Sequence, residues 1–527
     1  MAKARLRALT IERFKSYRDE TRIEFDPLTI LVGRNNCGKS SIIQALLLLK
    51  QTLAHPRSDI PLVLEGYVDA LSLRELIYGW PESDHNGFRF ILEWSSHISI
   101  DDFLAEAKNP DIENFITTIG IRWVKVVERT RAVRTKLDIT FNERRGTTII
   151  SRIRLASIDR KGRDSHTFVL DSDGDGGYSV MYKDQLASKL DVEWDHFLPY
   201  LTIDRRNIGP RHKQRAIYNL FLLLFSQPLT DLKRLLAAFS YLGSMRTAPP
   251  TLYRSATVPP EEIGVSGELA AQLLQARKAG IVNYLPLLDV TESGVTFPKT
   301  IRSRSLLEAM NDMLESLGVE HSLRIEDVKD IGFRLLFGQA SLPHVGRGLS
   351  YLVPVIELGL ISDPLKFARE QGEIPLKDYL SIVDQTILCA FEEPEAHLHP
   401  KVQSRLAHWF VSLALAGRNP LVETHSDHFV RRLRGLVART KPDSPLEKYL
   451  LKNVVILSIE QNADGSSSVK STKLTREGSL DTWPADFMDE ATDEERSIHF
   501  AGLDKPKDDS QYAPPEYFTH DPIPDSD

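Results

Sequence analysis

The fold of this chain is decided by the stretch Leu28-Thr29-Ile30-Leu31-Val32-Gly33-Arg34-Asn35-Asn36-Cys37-Gly38-Lys39-Ser40-Ser41. An apolar run that predicts a strand leads directly into Gly-x-x-x-x-Gly-Lys-Ser, and a helical pattern follows over residues 41–49. Glycines let the backbone curl so that its N–H groups point inward, and the helix adds the positive end of its dipole. This order of strand, loop and helix predicts a phosphate-binding loop. A chance glycine-rich turn is the alternative.

Two side chains of this loop have the chemistry to act on a nucleotide. Lys39 can reach the β- and γ-phosphates, and the hydroxyl of Ser40 can hold Mg²⁺. We therefore expect ATP and Mg²⁺ to bind here. The expected nucleotide-binding residues are Gly33, Arg34, Asn35, Asn36, Gly38, Lys39, Ser40 and Ser41.

Length and composition narrow the class of protein. The chain has 527 residues, a net charge of −7 and 42% apolar residues, which is enough for two or three lobes. No apolar run is long enough to cross a bilayer, and the first residues lack a signal-peptide pattern. The two cysteines exclude a disulfide framework and a cysteine-rich zinc site. We therefore expect a cytoplasmic protein that does not contact a membrane.

A second motif is Ile387-Leu388-Cys389-Ala390-Phe391-Glu392-Glu393-Pro394-Glu395-Ala396-His397-Leu398-His399-Pro400. Its apolar run predicts a buried strand with two carboxylates at the carboxyl end, where α/β sheets place ligand chemistry. Adjacent side chains on a strand point to opposite faces, so we assign Glu392 to Mg²⁺ through water and Glu393 to the general base. A solvated acidic turn is the alternative. For His397 and His399 we expect a structural or interface role because a third metal ligand is lacking nearby.

A third motif is Pro420-Leu421-Val422-Glu423-Thr424-His425-Ser426-Asp427-His428-Phe429. An apolar strand again precedes a polar turn and a helical pattern. A histidine at such a strand end can donate a hydrogen bond to a γ-phosphate. We choose His425 over His428 because it comes first after the strand.

Together, the three motifs resemble the ABC-type ATPase heads of the RecF, Rad50/SMC and OLD-nuclease lineage. Residues 9–17 resemble the first strand and nucleotide-facing turn of that lineage, and the resemblance covers about residues 4–490. It is strongest to bacterial AAA family ATPases with a short Trp-Pro module, here around Trp483-Pro484. Many of these are the ATPase halves of antiphage systems, such as PtuA of Septu and AriA of PARIS.

The resemblance implies a head-to-tail homodimer in which a signature turn of one copy caps the ATP of the other. The candidate is Gly346-Arg347-Gly348 within residues 344–354, and Arg347 is an expected γ-phosphate contact in trans. This turn departs from Leu-Ser-Gly-Gly-Gln, since Gly346 takes the place of the serine and Ser350 is displaced. A glycine-rich helix cap is the alternative. We find no convincing Q-loop glutamine, and we expect Gln51 to be structural.

The predicted fold class is α/β, an ABC-type ATPase head with a RecA-like core, an antiparallel β lobe and a compact helical insertion. Residues 1–185 form the first ATPase lobe, 186–330 a mainly helical insertion, 331–488 the second lobe and 489–527 an acidic, flexible tail. Residues 171–176 imitate a calcium loop, but Tyr182 takes the place of its acidic twelfth residue. We therefore interpret them as a hairpin turn.

The resemblance implies an ATPase that acts as sensor and scaffold in antiphage defence and controls a separately encoded HNH or TOPRIM nuclease. The sequence has no nuclease motif of its own. One alternative is a RecF-like repair ATPase acting on DNA ends or gaps, and another is a non-catalytic scaffold whose bound ATP is only structural. Two basic clusters leave DNA binding open. These clusters are Arg122, Lys125, Arg129, Arg131, Arg134 and Lys136, and Arg205, Arg206, Arg211, Lys213 and Arg215. Assembly beyond a dimer is open as well.

Overall fold

The structure is a computed structural model that describes residues 3–97, 132–159, 161–174, 176–204, 213–291, 294–329, 331–365 and 370–482. Several predictions lie outside these residues: the acidic tail, the Trp-Pro module and most arginines of the two basic clusters. Within the described part, no helix is long and apolar enough to cross a membrane.

The helices and strands follow in chain order. The helices are α1 (Lys39–Ala54), α2 (Lys213–Phe221), α3 (Gln227–Ala237), α4 (Ala270–Arg277), α5 (Leu306–Leu317), α6 (Arg347–Ile361), α7 (Leu376–Ile382), α8 (Pro400–Leu415), α9 (Asp427–Arg439) and α10 (Pro445–Asn453). The strands up to residue 242 are β1 (Arg5–Glu12), β2 (Thr21–Glu24), β3 (Leu28–Val32), β4 (Gly87–His97), β5 (Ala132–Arg144), β6 (Thr147–Ile158), β7 (Asp164–Ser172), β8 (Tyr178–Tyr182), β9 (Gln185–Leu186), β10 (Leu190–Asp195), β11 (Leu198–Ile203) and β12 (Ser240–Leu242). The later strands are β13 (Ile281–Tyr284), β14 (Asp289–Thr291), β15 (Gly294–Thr296), β16 (Thr300–Ser305), β17 (Leu323–Val328), β18 (Gly332–Phe337), β19 (Ala340–Ser341), β20 (Gly372–Pro375), β21 (Ile387–Glu392), β22 (Arg418–Glu423), β23 (Val454–Gln461) and β24 (Ser467–Lys473).

The main sheet has the strand order β12-β21-β22-β3-β23-β24 and is parallel except for β24. The three strands that carry the sequence motifs, β3, β21 and β22, are buried along their whole length. Continuous apolar runs are typical of such strands, because parallel sheets are covered on both faces. Because the three strands are parallel, their carboxyl ends meet at one edge of the sheet.

The second sheet is antiparallel, with the order β2-β1-β4-β5-β6-β7-β8-β9. It forms the predicted antiparallel lobe, and the turn at residues 171–176 joins β7 and β8 as a hairpin, as predicted. One hydrophobic cluster contains side chains of both sheets and of α1. Helix α1 is buried nearly all round, which is expected of a helix that is apolar on every face. The predicted fold class, a mixed α/β head with an antiparallel lobe, is confirmed.

The segment 186–330 requires a correction, because it is mixed rather than mainly helical. It contains helices α2 to α5 but also strands β10 to β17. A π-helical turn at Leu222–Ser226 joins α2 to α3. The prediction relied on apolar runs, whereas β16 alternates buried and partly exposed residues and pairs with β13 and β20. Strand β12 even joins the edge of the main sheet beside β21.

Candidate functional site

The phosphate loop between β3 and α1 requires glycine at two positions. A Cβ at Gly33 would lie 2.4 Å from the carbonyl oxygen of Ile459, and one at Gly38 would lie 2.4 Å from Oγ of Ser16. Both residues have positive φ angles, 148° and 103°. Neighbouring elements also hold the loop, since Oγ of Ser467 donates to the carbonyl of Cys37 at 2.6 Å. The loop therefore has a single shape that its surroundings fix.

The amino end of α1 is free to bind an anion. Gly38 precedes the helix in the left-handed conformation, no side chain caps the helix and its first turn has no acidic residue. The N–H groups of its first turn point towards the loop, as at other helix N-termini, although that of Ser41 donates to the carbonyl of Gly38 at 3.2 Å. Ser41 lies in this first turn, while Arg34, Asn35 and Asn36 form the exposed tip of the loop.

Lys39 is folded back over the loop. Its Nζ donates to the carbonyls of Gly33 at 3.1 Å and Arg34 at 2.7 Å, and the residue is only 4% exposed. These carbonyls satisfy the ammonium group in the space where phosphate oxygens would otherwise do so. The lysine is thus placed within reach of a phosphate group.

Glu423, at the end of β22, is the residue that the sequence interpretation missed. Its Oε2 accepts a hydrogen bond from Oγ of Ser40 at 3.0 Å, and its Oε1 lies 3.7 Å from Nζ of Lys39. Burial, followed by the nearby charge of Glu392, raises the pKa of Glu423 to about 7. A signal was present, because the short apolar run Pro420-Leu421-Val422 ends in Glu423, as the apolar run of β21 ends in Glu392.

Glu392 is the neighbour of Glu423 on the adjacent strand, and the two are paired in register. Its Oε2 accepts from the backbone N–H of Ser244 at 3.3 Å, and its carbonyl accepts from Nη2 of Arg246 at 2.9 Å. Burial raises the pKa of Glu392. The turn after β12 therefore holds Glu392, and the carboxylate that contacts Ser40 belongs to Glu423.

Glu393 directly follows β21 and has a strained backbone. Its φ angle is 45°, a conformation that non-glycine residues rarely adopt, and its N–H donates to the carbonyl of Glu423 at 2.8 Å. The residue is partly exposed, whereas Glu392 is buried. The turn thus directs two successive carboxylates to different environments, as the sequence predicted.

Another buried acid, Glu395, holds the turn after β22. Its Oε1 accepts from Oγ1 of Thr424 at 2.6 Å and from the N–H of His425 at 2.9 Å. The imidazole of His425 is exposed in part, and burial, followed by the charge of Lys39, lowers its pKa. His425 and Lys39 therefore lie at the same edge of the sheet, with the histidine favoured as neutral.

The signature turn, Gly346-Arg347-Gly348, begins with two exposed residues, and its last residue packs against the segment that follows β21. Gly346 precedes α6, is exposed, and would have nothing within 4 Å of an added Cβ. Arg347 is also exposed, and its side chain makes no hydrogen bond or ion pair with the described residues. Gly348 instead packs tightly, since its Cβ would lie 2.5 Å from the carbonyl of His397. The displaced Ser350 is buried and donates to the carbonyl of Arg347.

The remaining candidates have structural contacts. His399 caps α8 by accepting from the N–H of Lys401, and the ring of His397 packs edge-on against Tyr351. Gln51 donates from its side chain to the carbonyls of Val63 and Val68. All three agree with the structural roles expected from the sequence.

The donor set at this edge suits Mg²⁺ bound together with a nucleotide. Mg²⁺ prefers oxygen ligands and usually takes one or two carboxylates plus phosphate oxygens and waters. Ser40 and Glu423 present hydroxyl and carboxylate oxygens in contact with each other, and Glu392 lies behind them. Among the described residues, no cluster of three or more His, Cys, Asp or Glu could hold a metal by itself.

Comparison with known proteins gives one family match. The family model described as AAA ATPase domain matches residues 5–178 and 376–430, which include the phosphate loop, the acid pair and His425. This match supports an ATPase domain in the chain. The signature turn lies outside the matched residues. No curated protein matches the chain.

Solved structures of Smc heads share a distant likeness. A Smc head bound to the C-terminal winged-helix domain of ScpA is 12% identical, with 89% of this chain and 98% of that chain covered and a TM-score of 0.36. The SMC head domain of Thermotoga maritima is 10% identical, with coverages of 89% and 100% and a TM-score of 0.33. A Smc head with an extended coiled coil, bound to the C-terminal domain of ScpA from Pyrococcus furiosus, is 11% identical, with coverages of 94% and 100% and a TM-score of 0.35. At such scores the fold assignment relies on the strand order of this chain itself.

Proposed function

We propose that the chain binds ATP and Mg²⁺ at its phosphate loop and hydrolyses the ATP slowly to ADP and phosphate between two copies arranged head to tail. One observation carries the proposal. Lys39, Ser40, Glu393 and His425 lie at the carboxyl ends of neighbouring strands of the main sheet, while Gly346 and Arg347 of the signature turn are exposed. A second copy would bring its own signature turn to this edge.

Each residue of the edge has a proposed role. Lys39 and the loop N–H groups stabilise the charge of the phosphates. Ser40 holds Mg²⁺ with help from Glu392 through water. Bound Mg²⁺ would neutralise charge on the β- and γ-phosphate oxygens.

The proton and hydrogen-bond roles fall to two residues. Glu393 accepts the proton of the attacking water, whose oxygen bonds to the γ-phosphorus as the bond to the β-phosphate oxygen breaks. His425 donates a hydrogen bond to the γ-phosphate. Its lowered pKa favours a neutral imidazole, which can still donate through one ring nitrogen.

The proposed interface takes Gly346, Arg347 and Gly348 from the second copy. The free N–H groups at the start of α6 would face the γ-phosphate, and Arg347 would add a positive charge. A homodimer is the smallest assembly that completes two such sites. Analytical ultracentrifugation of Glu393→Gln protein, with and without ATP and Mg²⁺, tests this, and a persistent monomer with ATP would contradict it.

The biological role we propose is that of sensor and scaffold in antiphage defence, controlling a separately encoded HNH or TOPRIM nuclease. This role relies on the resemblance to the PtuA and AriA group. The test is a pull-down of tagged Glu393→Gln protein from its native host with ATP present, followed by mass spectrometry. A stoichiometric nuclease would support the role. Recovery of recombination proteins or of DNA alone would favour a RecF-like repair ATPase.

One surface favours the repair alternative enough to justify a test. Arg405 of α8 and Arg432 and Arg439 of α9 interact electrostatically, and within the described part of the chain none has a carboxylate partner. Arg432 donates instead to Nε2 of His408 at 2.6 Å. Such a cluster can bind phosphates with a steep salt dependence. Stimulation of hydrolysis by DNA without any other protein, lost in Arg432→Ala/Arg439→Ala, would support the alternative.

A further inference from the structure

We propose that Glu423, rather than Glu392, is the carboxylate that contacts Mg²⁺ directly, together with Ser40. This proposal deepens the proposed function and depends on it, because a nucleotide must supply the other ligands. Neither the motif interpretation nor the family resemblance assigned a role to Glu423.

The strand order places Glu423 closest to the phosphate loop. Strand β22 lies between β3 and β21, and Glu423 is paired in register with Leu31 on one side and with Glu392 on the other. Neighbouring strands are about 4.8 Å apart, so Glu392 begins about 10 Å from the strand that leads into the loop. Only Glu423 reaches Ser40 across a single strand spacing.

The hydrogen bonds of Glu423 and Glu392 also favour Glu423 as the ligand. Oε2 of Glu423 and Oγ of Ser40 are 3.0 Å apart, so both oxygens already border one small space. Oε2 of Glu392 instead accepts from Ser244, on the side of β12. Glu392 would have to give up this hydrogen bond to approach the loop, whereas Glu423 needs no such change.

Charge balance provides a further reason. In the structure the buried carboxylate of Glu423 lies 3.7 Å from the ammonium group of Lys39. When Lys39 turns to the phosphates of a nucleotide, Glu423 loses this nearby positive charge and remains buried at 5% exposure. A buried charge without a counter-ion is costly, and a divalent cation beside Ser40 would replace the lysine.

The competing explanation is that Glu423 only clamps the phosphate loop in place through its contacts with Ser40 and Lys39. A clamp would influence nucleotide binding with and without metal to the same extent, whereas a metal ligand would influence only the part that depends on Mg²⁺. The experiment is to measure the affinity of a fluorescent ATP analogue at constant pH, first in EDTA and then during a Mg²⁺ titration. The variants are Glu423→Gln, Glu423→Asp and Glu392→Gln, with the exposed Glu373→Gln on β20, in a different sheet, as the control.

If Glu423 is a direct ligand, Glu423→Gln raises the Mg²⁺ midpoint by at least about 100-fold, because the loss of a partner outside the first coordination shell already costs about 10- to 100-fold. Its affinity for the analogue in EDTA stays equal or rises, because a negative charge near the phosphates is gone. Glu392→Gln gives a smaller shift of the midpoint. Glu423→Asp keeps the charge but draws it back by one methylene, and we expect an intermediate shift.

Two results would overturn the proposal. One is a Mg²⁺ midpoint within twofold of wild type in Glu423→Gln, and the other is an equal change of affinity in EDTA and in Mg²⁺. If Glu423→Gln does not fold, Glu423→Asp decides by the same criteria. Failure of the wild-type chain to bind the analogue at all would contradict the proposed ATPase itself, whereas normal wild-type binding with unaltered variants would contradict only the role of Glu423.

Discussion

The phosphate loop and the signature turn are both glycine-rich turns that precede a helix, yet the chain surrounds them very differently. At Gly33 and Gly38 an added Cβ would meet atoms at 2.4 Å, whereas at Gly346 it would meet none within 4 Å. Lys39 is buried with three oxygen neighbours, and Arg347 is exposed. The first turn is complete within one chain, and the second has an open face. We infer that the open face is where another molecule completes the site.

The largest effect should come from Lys39→Ala. It removes the ammonium group that the loop holds ready, and charge-assisted hydrogen bonds to phosphate are among the strongest in proteins. We expect the affinity for ATP to fall by at least about 100-fold, as isothermal titration calorimetry can measure. Lys470→Ala is the control, since Lys470 forms an ion pair with Glu460 on the surface. Retained ATP binding would contradict the assignment of the phosphate loop.

Glu393→Gln should separate hydrolysis from binding. The amide keeps the size of the side chain but cannot accept a proton, so we expect hydrolysis to fall by about 10²- to 10⁴-fold while ATP affinity is unchanged. Phosphate release assays and calorimetry measure the two quantities. Equal hydrolysis by the variant and wild type would rule out Glu393 as general base, and Glu373→Gln on β20 is the control.

Gly346→Asp tests the open face of the signature turn. Since an added side chain meets nothing in one chain and φ is −55°, the variant should fold and bind ATP like wild type. Between two copies, however, the carboxylate would approach the γ-phosphate, and we expect ATP-dependent dimerisation to weaken by about 10-fold or more. Gly372→Asp is the matched control, because nothing lies near an added Cβ there either. Normal dimers of Gly346→Asp would place the interface elsewhere.

Mixing the two inactive variants sharpens the comparison. In a head-to-tail dimer of Lys39→Ala and Gly346→Asp chains, one site combines an intact phosphate loop with an intact signature turn. At a protein concentration high enough to keep both variants dimeric, random pairing makes half of the dimers mixed, each with one of its two sites intact, so we expect about one quarter of wild-type hydrolysis. The hydrolysis rate of an equimolar mixture measures this. No recovery would indicate either that both sites must act together or that the turn does not act in trans.

The sequence predicted the edge of the main sheet well because each motif there is local. A glycine loop, an acid pair or a histidine after a buried strand predicts the same local structure wherever that strand lies in the sheet. The structure accordingly brings Gly33, Lys39, Ser40, Glu393 and His425 to one edge.

The role of Glu423 depends instead on strand order, which no local pattern reveals. The sequence shows that β21 and β22 both end in glutamate, but not that β22 lies beside β3. The mixed character of residues 186–330 escaped prediction for a similar reason. Short apolar runs fit a helix or a strand, and partner strands at a distance decide between them.

The smallest expected effect concerns Glu357, a buried residue of α6, the helix that begins at the signature turn. Glu357 is fully buried there, and neither carboxylate oxygen has a hydrogen-bond partner in the described part of the chain. Burial raises the pKa of Glu357 well above its usual value, and Arg277 offsets this only in part. Since the folded state retains a proton that the unfolded state releases, this group favours folding below the unfolded pKa of about 4.3, and that contribution is lost as the pH rises towards the folded pKa.

Glu357→Gln cannot titrate, so its thermal midpoint relative to wild type should rise between pH 5 and pH 8. We expect a difference of about 1 kcal/mol in the free energy of unfolding, the size of a typical single substitution. Scanning calorimetry at the two pH values measures it, with the exposed Glu373→Gln as the control. ATP affinity should stay unchanged, because Glu357 is fully buried and, in the described part of the chain, makes no hydrogen bond to the phosphate loop. A variant that gained no stability at pH 8 would show that the Glu357 carboxylate has a partner in solution. The phosphate loop and the signature turn would then differ only at their exposed faces.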